Sequence, residues 1–421
     1  MDLGDKQNWA RLDARLVQAA KGIKVLTHLA WPEAVTRTFV ENWQKKNPKL
    51  PQVQYPKVDH EGNRSELTSI ISQCDRSHPL SSFLLLTAQS YHLAARLIEN
   101  VTQPAFCEIS LQLYGSPKDK IGSGALTHLE AAEYFKEVTR EFLGFYHLTL
   151  LNTPDRLTSE EAVHELQRAV ETHLPHSGIQ LTLDPQLASK AAASAHRIRL
   201  RAGTTFTREE IEQLLQHEAL VHSVTMANGR SQPLLTSLGL GAPRTTRTQE
   251  GLATFAELIT GTMSIERLQR LALRILATQQ ALDGADFLEI FRFYMEYSDD
   301  PVESFYQAQR VFRGGDVRGR FVFTKDVVYL QGLTYVHTFL RKAMQQRKYH
   351  YMTSLFSGRL TLGDVVALDP FFQDGSLHGP RLLPPWLKNR SALAGFLSYS
   401  VFANRLQLQD FALADFLVKD L

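Results

Sequence analysis

The stretch from Phe206 to His222 constrains this chain more than any other. It opens Phe-Thr-Arg-Glu-Glu-Ile, in which Thr207 and Glu210 have the spacing of a capping box and Phe206 and Ile211 that of a hydrophobic staple, so a helix starts here. Ile211, Leu214 and Leu215 give that helix its core face. The same helix then carries His217-Glu218-Ala219-Leu220-Val221-His222. Histidines four residues apart sit about 40° apart on a regular helix, but the i, i+5 spacing found here opens that to about 140°. The two imidazoles can meet one ion only if the extra residue is absorbed. The spacing therefore predicts a π-bulge across Ala219 to Val221, a distortion found disproportionately at functional sites.

A third ligand is expected from Thr246-Arg247-Thr248-Gln249-Glu250-Gly251-Leu252-Ala253. Thr246 and Gln249 have capping-box spacing, which starts a helix just before Glu250. Gly251 lacks a side chain and would let this helix approach the first, while Leu252, Phe255, Ala256 and Ile259 take the core face. Two histidines and a glutamate with one position left open for water form the ligand set of a catalytic zinc ion. Glu218 then has the place of the general base that activates the water. The competing reading leaves Glu218 solvated and both histidines as ordinary helix residues. In a chain with 15 histidines the hexapeptide alone does not decide between the two, and Glu250 tips the balance toward metal.

The pairing of HExxxH at His217–His222 with Gln-Glu-Gly-Leu-Ala at Gln249–Ala253 resembles the QEGLA-motif family. The likeness continues through Arg313-Gly314-Gly315-Asp316 and Thr324-Lys325-Asp326-Val327-Val328-Tyr329-Leu330, and less specifically back to Leu12. Bacterial members carry a label as modulators of flavohaemoglobin expression. Eukaryotic relatives are microtubule-associated tyrosine carboxypeptidases, which remove the C-terminal tyrosine of α-tubulin. The resemblance implies one zinc ion per chain held by His217, His222 and Glu250, with Glu218 as the catalytic glutamate. One departure from broader glutamate-zinc peptidases is Thr254, which stands where many have an Asp that orients a metal histidine. Glu257, a turn further on, can substitute, and reads equally well as a solvated helix charge. A carboxypeptidase also needs a cation for the substrate's terminal carboxylate. Arg244, Arg247, Arg313 and Lys325 are the candidates, each of which also reads as a surface charge. Tyr329 is a candidate donor to the reaction's oxyanion.

Elsewhere apolar residues recur at three- and four-residue spacing, which predicts an α+β chain that is mainly helical. With the resemblance, the expected fold is a zincin-like metallopeptidase core: an active-site helix, a small sheet and added helices. Helices are expected over Leu12–Leu29 and Ser82–Ile98, and from the capping pair Thr127 and Glu130 to Leu143. Phe106–Tyr114 reads as a strand. His196–Arg201 alternates Ile198 and Leu200 with arginines and reads as a half-exposed strand whose edge could take an extended substrate. A turn cluster at Asn152–Asp155 divides a helical N-terminal region, 1–155, from a catalytic region, 156–421, unless the two form one integrated unit.

Composition enters through what it excludes. Lys and Arg number 46 against 44 Asp and Glu, so no phosphate-neutralising field is available and nucleic acid is not an expected partner. The uncharged stretch Ser391–Asn404 falls short of a bilayer span, and the N-terminus has no basic head with an apolar run. With two isolated cysteines, Cys74 and Cys107, read as reduced, a cytoplasmic protein without a membrane partner is expected. No GxSxG elbow or P-loop occurs. The expected activity is zinc-dependent peptide hydrolysis at a peptide or protein C-terminus. A zinc endopeptidase and a non-catalytic, zinc-containing regulator are the alternatives.

Overall fold

Helical spacing becomes helix along most of the chain. The computed structural model describes residues 3–149, 155–187 and 189–405. Helices α1 (Leu3–Ala20) and α2 (Val25–His28) precede Trp31-Pro32, and α3 (Glu33–Gln44) runs into an irregular, proline-bearing stretch that begins near Asn47. Helices α4 (Glu61–Gln73) and α5 (Pro79–Glu99) follow. The stretch read as a strand is instead α6 (Pro104–Tyr114). Its buried residues Phe106, Cys107, Ser110 and Tyr114 have helical spacing, and Pro104 sits in the first turn, where its missing N–H costs nothing. The alternation over Glu108–Leu113 was too short to separate period two from one helix face. Helix α7 (His128–Thr149) starts at the expected capping pair, with Thr127 N–H donating to Glu130 Oε2 at 2.8 Å. Asn152–Pro154, the core of the expected boundary, lies outside the described residues.

Two small sheets form next. Strand β1 (Arg156–Leu157) leads through the capping box of Thr158 into α8 (Ser159–His173). Strands β2 (Gln180–Asp184), β3 (Ala191–Ala193) and β4 (Arg197–Arg201) make a sheet of order β2-β4-β3, and β5 (Phe206–Thr207) pairs with β1. Ile198 and Leu200 point inward as read from the alternation. However, β4 is the middle strand, parallel to β2 and antiparallel to β3, so it has no free edge to offer a substrate. The edges are β2 and β3, and of the two it is β3 that lines the cleft described below.

Helix α9 (Arg208–Leu214) continues through a π-helical segment, Leu215–Ser223, into α10 (Val224–Arg230). A 3₁₀ turn, Pro243–Thr245, feeds α11 (Thr246–Ile259), and α12 (Ile265–Asp283), α13 (Phe287–Met295) and α14 (Pro301–Phe312) follow. A second 3₁₀ turn, Lys325–Val327, opens α15 (Val328–Gln345). The chain ends in α16 (His350–Ser354), α17 (Leu362–Ala367), α18 (Asp369–Gln373), α19 (Pro385–Lys388) and α20 (Arg390–Ala403). No helix among the described residues is long and apolar enough to cross a membrane. Cys74 and Cys107 are free thiols.

Gly251 does permit a close helix approach, but to α15 rather than to the histidine helix. A Cβ on Gly251 would lie 2.2 Å from the Gly332 carbonyl carbon, and one on Gly332 would lie 2.2 Å from the Arg247 carbonyl oxygen. These atoms are backbone and cannot swing aside. Gly332→Ala should therefore destabilise the protein by about 2–3 kcal/mol through overpacking, read as a lower urea midpoint.

N-terminal residues pack into the same core. Asp13 accepts from the backbone N–H of Thr236 at 2.8 Å and of Ser237 at 3.1 Å, and Gly314 N–H donates to the Tyr55 hydroxyl at 2.7 Å.

Candidate active site

Thr207 and Glu210 cap α9 reciprocally, and Phe206 and Ile211 are both buried, so the helix begins where the sequence places it. The distortion ahead of it is broader than the single bulge expected, because the whole of Leu215–Ser223 is π-helical. With i→i+5 hydrogen bonding, residues five apart lie one above the other. His217 and His222 thereby come onto one face, their rings edge to face with centroids 4.8 Å apart.

Glu250 reaches the same point from α11. Its Oε2 lies 3.4 Å from His217 Nε2 and 3.6 Å from His222 Nε2, and the three donor atoms fall within 4.8 Å of one another. Ligands at about 2.0–2.1 Å from a tetrahedral ion stand roughly 3.3–3.5 Å apart, so the donor set fits zinc with little adjustment. No side-chain cap holds the start of α11, contrary to the expected Thr246/Gln249 box. The preceding 3₁₀ turn delivers Thr245 already in helical geometry, which leaves no extended cap residue. Gln249 Oε1 instead accepts from Thr225 Oγ1 at 2.8 Å, tying α11 to the histidine helix.

Glu257 takes the orienting position left open by Thr254. Its Oε1 lies 2.6 Å from His217 Nδ1, which leaves Nε2 free to face Glu250, and Arg267 donates to both of its oxygens, at 3.1 and 3.2 Å. Thr254 is occupied with the backbone carbonyl of Glu250, 2.8 Å from its Oγ1. Burial opposes charge on Glu257, yet Arg267 and His217 outweigh it and hold the carboxyl near a pKa of about 2. Burial likewise works against a charged His217, but Glu250 and Glu257 override it and raise its pKa. The pocket thus attracts a cation. Glu257→Gln should weaken metal binding about 10- to 100-fold, measurable by competition with a chelator.

A cleft of about 1130 Å³ opens over this centre. His217, Glu218, His222 and Glu250 line it, as do Lys325 and Tyr329. Lys325 Nζ donates to Glu250 Oε1 at 3.2 Å and approaches the Tyr329 hydroxyl at 3.4 Å, which also accepts from Arg310 Nη2 at 3.2 Å. Burial and Glu250 push the Tyr329 pKa up, but Lys325 and Arg310 prevail and lower it. With Arg310 and Lys325 donating to its oxygen, the hydroxyl's own hydrogen is directed away from both cations.

The four arginine and lysine candidates separate. Arg313 and Lys325 line the cleft. Arg244 does not, being held in a two-point ion pair by Asp364 at 2.7 and 2.9 Å. Arg247 is also off the cleft, with Nη2 3.5 Å from the Tyr114 carbonyl and its guanidinium over the Tyr335 ring. Absent from the sequence reading were Arg274, which stacks on Tyr329, and Arg359, which also lines the cleft. Neither stands in any spacing relation to the histidines, so only the fold could bring them forward.

The chain matches the family model described as microtubule-associated tyrosine carboxypeptidase over residues 38–405. It belongs to that family. A search of curated proteins found no match. The family is one of carboxypeptidases, which implies a peptide or protein C-terminus as substrate, and the match runs from within α3 through α20, with every candidate site residue named above.

Proposed function

We propose that the protein is a zinc-dependent carboxypeptidase in which His217, His222 and Glu250 hold the metal and Glu218 is the general base. The observation that carries this is the convergence of the three donor atoms within 4.8 Å, on a helix whose π geometry is otherwise hard to account for. Its membership of a carboxypeptidase family supports the reaction class. The N-terminal region then belongs to one catalytic unit, because its residues pack into the core that positions the cleft.

When bound, zinc supplies a Lewis acid and a water of lowered pKa. Glu218, next to His217 and buried, accepts the water's proton on its carboxylate and hands it to the departing amine. Tyr329 and Lys325 stand on the Glu250 side of the centre and donate to the oxyanion that develops as water adds to the scissile carbonyl. The substrate backbone pairs with β3, which borders the cleft. Ala191 and Ala193 alternate with the residues bonded to β4, so their N–H groups face the free edge, and the alanine side chains leave room for larger ones opposite. Cationic side chains outnumber acidic ones thirteen to five along the cleft, although the whole chain is nearly balanced. That excess suits a carboxylate-bearing chain end. A terminal tyrosine, as the family's name would have it, is one such end.

The test is mass spectrometry of a peptide library before and after incubation, with metal analysis of the enzyme. Stepwise loss of single C-terminal residues is expected, abolished by chelation and restored by zinc. Internal cuts would favour an endopeptidase, and an intact library with zinc retained would favour the non-catalytic regulator.

A further inference from the structure

Arg359 follows α16 in the turn Ser357-Gly358-Arg359, and α10, which continues the histidine helix, grips that turn. Asn228 Nδ2 donates to the carbonyls of Phe356 at 2.7 Å and Leu382 at 2.8 Å. Gln232, just beyond α10, donates to the carbonyls of Ser357 at 3.0 Å and His378 at 2.7 Å, and accepts from His378 N–H at 2.8 Å. Arg359 N–H itself donates to the Leu238 carbonyl at 2.6 Å. Glycines clear the space for this assembly. A Cβ on Gly229 would stand 2.2 Å from the Leu238 oxygen, and one on Gly241 would stand 2.9 Å from Arg359 Nη1. The guanidinium is thus placed by the same helix that carries His222 and Glu218.

Its surroundings set Arg359 apart from the paired cations around the metal centre. Lys325 is matched to Glu250, Arg267 to Glu257, and Arg274 and Arg310 to Asp326. Arg359 has no carboxylate within ion-pair distance among the described residues, and its Nε is buried without a hydrogen-bond partner. Arg313 shares that lack, but it stacks on Phe323, and the groups acting on it are Arg310, Asp326, Tyr329 and Tyr114. Around Arg359 the acting groups are Glu250, Tyr91 and Glu218, among them the metal-side carboxylate and the base, with the Arg230 guanidinium opposing its charge. Burial lowers its pKa, so the fold holds an under-compensated cation in the cleft that Glu218 and Glu250 line. The Lys325–Tyr329 pair is already committed to the Glu250 side.

We propose that Arg359 binds the α-carboxylate of the substrate's C-terminal residue and so sets exopeptidase specificity. The inference rests on the carboxypeptidase reading and extends it to one residue. A planar guanidinium fixed through its backbone and bordered by Gly241 presents two parallel donors, which is the geometry that a carboxylate accepts.

The experiment compares one peptide with a free C-terminal acid and the same peptide as its C-terminal amide. The wild type should prefer the acid by about 10²- to 10³-fold in kcat/KM. Arg359→Gln should bring that ratio close to one by losing activity on the acid alone, and Arg359→Lys, which keeps the charge without the fork, should restore it in part. Metal content and thermal midpoint serve as controls for both variants. Retention of the acid preference in Arg359→Gln, or its collapse in Arg313→Gln instead, would overturn the assignment. Calorimetry separates this failure from failure of the peptidase reading, because the Glu218→Gln protein needs no turnover to report binding. Tighter binding of acid than amide there, lost in the Glu218→Gln/Arg359→Gln double variant, supports the carboxylate site. Equal binding of acid and amide refutes it.

Discussion

Glu218→Gln should lower kcat for C-terminal cleavage by about 10³-fold, within the range that a positioned general base contributes, while the zinc content of the protein stays that of the wild type. The amide is close in size to the carboxylate and can still hydrogen-bond the water, but it cannot take the proton. KM should change little, since the side chain acts on water and leaving amine rather than on the chain end. Single-turnover rates alongside metal analysis provide the check. Full activity in this variant would remove Glu218 from the mechanism. Loss of metal together with activity would make it a ligand or a structural residue instead.

Asp326→Asn should have the largest effect on stability. The carboxylate is buried and accepts from Arg310 Nε and, at 2.9 Å, from Arg310 Nη2, with Arg274 Nε 3.7 Å away. Neutralising it leaves two buried guanidinium groups uncompensated, a change that costs about 3–5 kcal/mol. Burial opposes charge on Asp326, but Arg310 and Arg274 overcome that and hold the carboxyl far below its usual range. A depressed folded-state pKa has a definite sign. The contribution is complete above the unfolded value of about 3.9 and disappears as pH falls from there toward the folded value. The gap in stability between wild type and Asp326→Asn should therefore be constant near neutrality and shrink below about pH 4. Urea unfolding at a series of pH values measures it, and a gap that persists undiminished in acid would show that Asp326 acts through packing alone.

The candidate centre was legible to the extent that it is written in local spacing. His217, Glu218 and His222 share one helix, and the misfit of their interval to a regular turn carried its own remedy. Glu250 could be found because it too opens a helix, although the cap expected for that helix does not form. Glu257 was half legible: its distance from Glu250 was right, but its role depends on Arg267, which folds back from α12. Long-range facts were out of reach. That β3 rather than β4 offers an edge to the cleft depends on which strands pair, and Arg359 reaches the cleft only through a turn gripped from α10. The misreading of α6 is of another kind, since a short amphipathic helix can imitate alternation wherever both of its flanks are partly covered.

The abutting glycines 251 and 332 have a consequence for motion. Where the two glycines cross, backbone meets backbone with no side chain between to compress, so the wall bearing Glu250 and the wall continuing from Lys325 and Tyr329 should move as one. Any breathing that admits a chain end or releases the detached residue falls to the other borders, the α1–α2 bend and the strip around β3. Turnover limited by release should then respond to substitutions along Lys21–Thr27, far from the chemistry, and be insensitive to changes on the exposed side of α15.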